Sequence, residues 1–205
     1  MIVDFSRLAG TTVTLTNSAK TPYPAGESPD PRTTGQVLQF RVVKPLQKGD
    51  KSVIPAAPRP LERLSAADAA VTRTIELAEM LDPLTLLPTM LMLEGKGWHE
   101  DVTLTPTLGS TELWRFVNTT ADTHPMHVHL VQFQVVSRQT FDTRVYASTG
   151  SVKLNGVPKR PPPQEQGWKD TVQVDPGEVV TITGPSTGSA ATRSTATSSS
   201  TRRTT

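Results

Sequence analysis

The chain contains no cysteine among its 205 residues, and only 5% of its residues are aromatic. The absence of cysteine excludes disulfide bonds within the chain and any metal site built from its own thiolates. The sequence also lacks a run of about eighteen apolar residues, the length that a membrane-spanning helix requires. Residues 1–5 show neither the basic start nor the apolar stretch of a secretory signal peptide, so none is expected there.

Net charge is also low, and the excess positive charge lies near the end of the chain. The formal net charge is +2, but residues 184–205 contain three arginines, Arg193, Arg202 and Arg203, and no acidic residue. Without these three arginines the remaining residues carry a net charge of −1. No basic face is therefore predicted, and nucleic acid is not expected as a partner.

Short β-branched segments separated by proline, glycine and threonine are what the sequence does contain. A short helical turn is expected at 65–70, with Ser65 as its N-cap, and the proline-rich stretch 146–166 is expected to form a rim loop. No long segment has a helical period, so the pattern favours an all-β sandwich or barrel. The predicted strands are residues 2–5, 12–17, 37–43, 72–77, 90–93, 112–118, 127–137, 171–174 and 179–182.

Three of the four histidines lie within six residues of one another. His124 precedes Pro125, and His127 and His129 follow directly before the apolar segment 130–136. On a strand, residues two apart point to the same face, so His127 and His129 are predicted to lie side by side. His124 is expected to be extended and outside the strand ladder, within reach of the same site. Neutral imidazole is a common ligand for copper, zinc and iron, so the cluster predicts a metal site.

Other candidate residues are fewer and weaker. His99 lies in the acidic segment 97–101, and we do not expect it to bind metal. Met90 and Met92 alternate within an apolar segment, which is typical of core packing rather than of metal ligation. Asp170 is expected to have a structural role, with contact to a histidine as the alternative. No nucleophile triad or phosphate-binding glycine loop is present, and no catalytic residue is assigned.

The segment His-Pro-Met-His-Val-His resembles a copper motif in the third cupredoxin domain of the multicopper oxidases. Its flanks resemble bacterial spore-coat laccases, bilirubin oxidases and phenoxazinone synthases. The similarity extends over roughly residues 1–183 and keeps the order of the family's segments. The segments that carry it are 3–5, 15–19, 39–42, 111–118, 124–129, 167–172 and 176–180.

The resemblance implies a cupredoxin-like Greek-key β-sandwich or barrel that is incomplete. It also implies the end of a middle cupredoxin domain at residues 1–45 and the incomplete third domain at 71–183. The polar, proline-rich composition between them predicts a linker at 46–70, and the low-complexity composition of 184–205 predicts a disordered tail. The implied activity is oxidation of phenolic or related small molecules with reduction of dioxygen to water. By resemblance, His124 binds a type 1 copper, whereas His127 and His129 bind type 2 and type 3 coppers of a trinuclear cluster.

The chain departs from this family at its end. A type 1 centre requires a cysteine thiolate, which the family supplies from a His-Cys-His motif shortly after the strand at 179–182. Here a Ser- and Thr-rich tail follows instead. With GC-rich codons, His-Cys-His-Ile-Leu-Glu-His-Glu-Glu-Asn-Asp-Met read one base later gives the sequence of residues 195–205 and then a stop. We therefore expect a frameshift that replaced the motif, and an isolated chain without catalytic activity.

Two alternatives stay open beside a fragment of a copper-dependent oxidoreductase. The first is a non-enzymatic β-sandwich module that binds zinc or copper through the three histidines. The second is a non-functional gene fragment. The sequence leaves the reducing substrate, the compartment and the oligomeric state open.

Overall fold

The computed structural model describes residues 3–48, 51, 53, 56, 60–101, 104–185 and 195–196. The chain divides into two compact units, Met1–Pro60 and Leu61–Thr205. This division lies inside the predicted linker. Within the described ranges, no helix has the length and apolar character needed to cross a membrane.

The first unit contains one antiparallel strand pair, formed by β1 (Thr12–Thr16) and β2 (Gln36–Arg41). The rings of Phe5 and Phe40 contact each other with centroids 5.1 Å apart, which packs the start of the unit against β2. Residues 3–5 form no strand, so that part of the predicted first strand is wrong. The segment between the two strands is rich in turns.

The second unit is built from two β-sheets. A six-stranded sheet has the order β4-β3-β5-β10-β7-β8, in which only the β3–β5 pair is parallel, and a three-stranded sheet has the order β11-β6-β9. The strands are β3 (Val71–Leu81), β4 (Pro88–Leu93), β5 (Thr111–Asn118), β6 (His124–His127), β7 (Phe133–Thr140), β8 (Trp168–Lys169), β9 (Thr171–Val174), β10 (Glu178–Pro185) and β11 (Thr195–Ala196). This mostly β architecture confirms the predicted cupredoxin-like fold class.

The hydrophobic core lies between the inner faces of these sheets. Phe116 of β5, Phe133 of β7 and Met126 of β6 are at most 1% exposed, so side chains from both sheets meet in one cluster. Along β9, Val172 and Val174 are buried while their neighbours are exposed, which is the alternation of a strand with one face on the core. The core therefore fixes which face of β6 points inward.

Most of the predicted strands are present, usually longer by a few residues. Besides residues 3–5, the predicted strand 127–137 is wrong, because the chain breaks between β6 and β7 and these strands belong to different sheets. Leu130 lies at the break with φ 70°, a left-handed conformation that an L-residue in a strand does not adopt. The apolar alternation of residues 130–136 gave no sign of this change of sheet.

Residues 61–70, predicted as part of the linker, are fastened to the second unit. The side chain of Gln134 donates a hydrogen bond to the Glu62 carbonyl and accepts one from the Leu64 amide. A 3₁₀ turn at Ala66–Asp68 follows, and the Ser65 hydroxyl accepts a hydrogen bond from Ala67. The predicted cap at Ser65 is therefore confirmed.

The predicted rim loop contains two short helical segments. Helix α1 (Thr143–Thr149) enters it and a 3₁₀ turn, Pro163–Glu165, lies near its end. Arg138 of β7 holds the loop through Glu165, at 2.7 and 2.8 Å, and also pairs with Glu178 of β10 at 2.6 Å. The proline-rich segment thus lies against the sheet without being one of its central strands.

The end of the chain is described in part. Strand β10 continues through Gly184 to Pro185, beyond the predicted strand end. The backbone of β11 pairs with β6 in the register Thr195 opposite His127 and Ala196 opposite Met126. The prediction of a disordered tail otherwise falls on residues 186–194 and 197–205, which lie outside the described residues, as does most of the segment assigned to the frameshift.

Candidate metal-binding site

Strand β6 presents its two histidines on opposite faces. His124 and Met126 are buried, whereas Pro125 and His127 are half-buried, so the side chains alternate between the core and the other side. β6 pairs antiparallel with β9, with His124 opposite Val174. The expectation that His124 lies outside the ladder is therefore wrong. A residue before proline is restricted to extended conformations, and such conformations can still pair with a neighbouring strand.

His124 is enclosed by polar groups on one side of its ring. Its side chain is 3% exposed, with Nε2 at 2.7 Å from Thr120 Oγ1 and 3.5 Å from Glu79 Oε1. Burial lowers the pKa of His124, and the charge of Asp122 opposes this effect. Burial also raises the pKa of Glu79, and Asp122 adds to that shift. These environments favour a neutral imidazole, the form that binds metal.

The second ring nitrogen of His124 has no hydrogen bond. Nδ1 is buried, and within the described part of the chain it is one of two buried side-chain polar atoms without a partner. A buried polar atom left unpaired costs about 1–3 kcal/mol, so native proteins rarely retain one without a reason. A metal ion is a partner that would satisfy this nitrogen.

His127 is oriented by the backbone at the start of β9. Its Nδ1 lies 2.9 Å from the Asp170 carbonyl oxygen and 3.0 Å from Thr171 Oγ1. Since a carbonyl oxygen can only accept, Nδ1 carries the hydrogen and Nε2 keeps its lone pair. The Asp170 carbonyl also accepts a hydrogen bond from Val128. Asp170 therefore contacts a histidine, as the alternative for this residue stated, but through its backbone.

His129 lies beside His127 but outside any strand. The two rings meet edge to face, with centroids 4.9 Å apart and planes at 62°. His129 is exposed, and β6 has already ended at His127. The predicted neighbourhood of the two rings is thus confirmed, although the strand period is not its cause.

The three imidazoles do not form one cluster. Across the residues that the structure describes, no group of three or more His, Cys, Asp or Glu side chains is close enough to hold one metal ion. The expectation that all three histidines bind metal stays a prediction. The geometry defines an inner position at His124 and an outer pair, His127 and His129. His99 lies in an exposed turn.

The polar residues around His124 were not predicted from the sequence. Glu79 lies on β3, and Thr120 belongs to the turn between β5 and β6. The available signal was the polar run 118–123 directly before the histidine motif. Glu79 is 45 residues away in sequence and could be found only from the pairing of β3 with β5.

Comparison with known proteins identifies the family. A family model described as multicopper oxidase matches residues 66–187. This chain belongs to the multicopper oxidase family, whose members are copper-binding oxidoreductases. The resemblance inferred from the sequence is thereby confirmed.

Two laccases of Bacillus are among the relatives. The laccase of Bacillus stratosphericus is 39% identical over 182 residues, which cover 89% of this chain and 34% of that protein. The laccase of Bacillus subtilis (strain 168) is 38% identical over 191 residues, covering 92% of this chain and 36% of that protein. The chain thus spans about a third of the length of these relatives, as the shares of 34% and 36% show.

A solved structure supports the fold. The chain resembles the multicopper oxidase McoA of the hyperthermophile Aquifex aeolicus with a TM-score of 0.55 at 25% identity. The match covers 88% of this chain and 35% of McoA.

The histidines fit the copper that the family implies. Imidazole nitrogen is a suitable ligand for copper, and a metal-binding histidine commonly donates its other ring hydrogen to a backbone carbonyl or a carboxylate. His127 has this arrangement with the Asp170 carbonyl, and His124 has a buried nitrogen without a partner. A thiolate ligand is not available from these 205 residues, because they contain no cysteine.

Proposed function

We propose that this chain supplies copper-binding histidines to a laccase-like multicopper oxidase. In the complete protein the activity is oxidation of phenolic or related small molecules with reduction of dioxygen to water. The observation that carries the proposal is the hydrogen bond from His127 Nδ1 to the Asp170 carbonyl, which leaves Nε2 free to ligate beside the His129 ring. Membership of the multicopper oxidase family supports the same conclusion.

The two positions are assigned to different coppers. His124 would hold a type 1 copper through its buried Nδ1, and His127 and His129 would contribute to the type 2 and type 3 coppers of a trinuclear cluster. Their placement on opposite faces of β6 and in the turn after it supports this division. Copper bound at these positions supplies one-electron redox chemistry. The chain contributes ligand orientation, through Thr120 on one ring and Asp170 on the other.

These residues do not complete either site. The sequence has no cysteine for a type 1 centre and only four histidines in all. We therefore expect the isolated chain to bind Cu(II) without the intense blue absorption of a copper thiolate and without turnover. In this state it would behave as a metal-binding module rather than as an enzyme.

Titration of the metal-free chain with Cu(II), followed by electron paramagnetic resonance, tests the assignment. His127→Ala should lower the affinity about tenfold or more, because it removes one of two adjacent imidazole ligands. His99→Ala is the matched control, since it removes an exposed histidine outside the site, and it should leave the affinity unchanged. Equal effects of the two substitutions, or no effect of either, would contradict the assignment.

Aerobic oxidation of a phenolic dye separates the proposed parent function from activity of this chain alone. The copper-loaded chain should show no turnover. A longer protein that adds the family's His-Cys-His segment and the preceding domains should show both turnover and blue colour. If that complete protein binds copper and remains inactive, the oxidase proposal is wrong.

A further inference from the structure

The turn that leads into β6 is held by the buried amide of Asn118. Its Nδ2 donates to the carbonyl oxygens of Asp122, at 2.7 Å, and Val174, at 2.9 Å. Both partners can only accept, so the orientation of the amide is fixed and Oδ1 must point toward Thr120. The Thr120 backbone amide donates to this oxygen at 3.0 Å. Asn118 therefore fixes both the turn and one acceptor inside it.

The direction of the Thr120 hydroxyl follows from these neighbours. Its Oγ1 lies 2.8 Å from Asn118 Oδ1 and 3.1 Å from the Asp122 carbonyl, which are both acceptors without a hydrogen. The hydroxyl has one hydrogen and must donate it to one of these two oxygens. Otherwise the lone pairs of Thr120 Oγ1 would face the lone pairs of both oxygens with no hydrogen between them. Its own lone pairs are then left to accept from the Asp122 backbone amide, at 3.3 Å, and from His124 Nε2, at 2.7 Å.

The hydrogen-bond order determines the tautomer of His124. A hydroxyl that acts as acceptor toward Nε2 requires a hydrogen on Nε2, so a neutral ring carries none on Nδ1. Glu79 Oε1, 3.5 Å from Nε2, is a second acceptor on the same side. Nδ1, buried and without a partner, is therefore the nitrogen with the free lone pair.

We propose that Asn118 and Thr120 are positioning residues that lock His124 in the Nε2–H tautomer and present Nδ1 as a metal ligand. The inference rests on the proposed function for its metal, copper, but the tautomer is a property of the metal-free chain. Asn118 Oδ1 accepts a hydrogen bond from the Thr120 hydroxyl, and the oxygen of this hydroxyl accepts one from Nε2–H of His124. These three residues lie within seven consecutive positions, 118–124.

Long-range ¹H–¹⁵N correlation spectra of the metal-free chain measure the tautomer directly. The ring nitrogens of His124 should show a protonated Nε2 and an unprotonated Nδ1. Thr120→Ser keeps the hydroxyl and should keep this pattern. Thr120→Val has a similar shape without the hydroxyl and should shift the ring toward a mixture of tautomers. A protonated Nδ1 in the unmodified chain, or an unchanged pattern in Thr120→Val, would overturn the proposal.

Backbone amide spectra of each variant check the fold. If Thr120→Val does not fold, the spectra of the unmodified chain and of Thr120→Ser still decide whether Nε2 carries the hydrogen. Cu(II) affinity is the second measurement: Thr120→Val should bind about tenfold more weakly at His124 and Thr120→Ser should bind normally. Paramagnetic broadening separates the two proposals. If Nε2 carries the hydrogen but Cu(II) broadens no His124 signal, the proposal of copper binding at His124 is wrong, and the proposal about the tautomer is supported.

Discussion

Among individual residues, Glu112 shows how a charged group is tolerated inside the β-sandwich. It is 4% exposed, and its carboxylate accepts hydrogen bonds from Arg73, at 2.7 and 3.0 Å, and from Trp114 Nε1, at 2.9 Å. The Arg73 hydrogen bonds hold the pKa of Glu112 below its ordinary value, against the opposite effect of burial. Both carboxylate oxygens thus accept hydrogen bonds, which removes much of the free-energy cost of burying the charge.

Replacing Glu112 with Gln should destabilise the second unit by about 2 kcal/mol at neutral pH, because Arg73 loses a charged acceptor. A lowered pKa means that the ionised carboxylate stabilises the fold above its ordinary pKa, and that this contribution is lost as the pH falls through the folded-state pKa. The variant should therefore lose less stability than the unmodified chain on acidification. Urea unfolding at several pH values measures both effects.

The exposed Asp101 offers a control, since Asp101→Asn changes a charge of the same sign without breaking a buried pair. It should change the unfolding free energy by less than about 0.5 kcal/mol. If Glu112→Gln and Asp101→Asn behave alike, the buried pair does not contribute as described.

The positions of some site residues could be predicted from the sequence, whereas those of others could not. The closeness of His127 and His129 was predicted from their spacing of two, but β6 ends at His127, so the strand period is not what brings the rings together. The separation of His124 did not follow, since it depends on which face of β6 the core covers. The partners Thr120 and Glu79 come from a turn and from a distant strand, and neither has a sequence pattern of its own.

Among the elements, the turn between β9 and β10, at residues 175–178, shows how proline and glycine fix a backbone conformation. The Glu178 amide donates to the Asp175 carbonyl at 3.1 Å, and Gly177 has φ 69°, as the third position of a type II turn requires. A Cβ added at Gly177 would lie 3.0 Å from Thr143 Cγ2. Both the backbone conformation and the neighbouring helix therefore favour glycine.

Gly177→Ala should lower the free energy of unfolding by about 1 kcal/mol, because an L-residue is strained at positive φ. Gly167→Ala is the matched control, since nothing lies within 4 Å of an added Cβ there. Thermal unfolding of both variants checks the difference. A Gly177→Ala protein as stable as the control would show that the turn tolerates a side chain.

Strands were predictable where the alternation of apolar residues was clear and a turn marked each end. Residues 171–174 have Val172 and Val174 inward and were predicted without error. The break at Leu130 was missed because β6 and β7 are joined by a short apolar connection, and alternation alone cannot tell one sheet from two. The two-residue strand β8 is too short to have a pattern.

At the scale of the whole molecule, the two units differ in how much core they contain. Every buried hydrophobic residue of the described chain, from Ile75 to Ile182, belongs to the second unit. We expect residues 61–205, produced alone, to unfold cooperatively, and residues 1–60 to show no cooperative transition, because they bury too little apolar surface. Calorimetry on both fragments is the measurement. A 61–205 fragment that does not fold would contradict this view of the core.

The gene provides a further prediction for the end of the chain. The DNA for residues 195–205 should read His-Cys-His-Ile-Leu-Glu-His-Glu-Glu-Asn-Asp-Met in the adjacent frame, and the DNA upstream should encode further His-x-His motifs. The backbone of β11 already pairs with β6 beside His127, so a segment read in that frame would begin next to a proposed ligand. Sequencing of the genomic DNA decides, and an adjacent frame without a Cys flanked by His would refute the frameshift.

The position of β10 has a consequence for synthesis of the chain. This strand lies between β5 and β7 in the six-stranded sheet, although it is encoded after both. During translation, the edges of β5 and β7 that pair with β10 therefore stay without their partner until residues 178–185 have left the ribosome. Exposed strand edges of this kind are prone to pair with other chains. Nascent chains that stall before residue 178 should consequently depend on chaperones far more than the finished protein does.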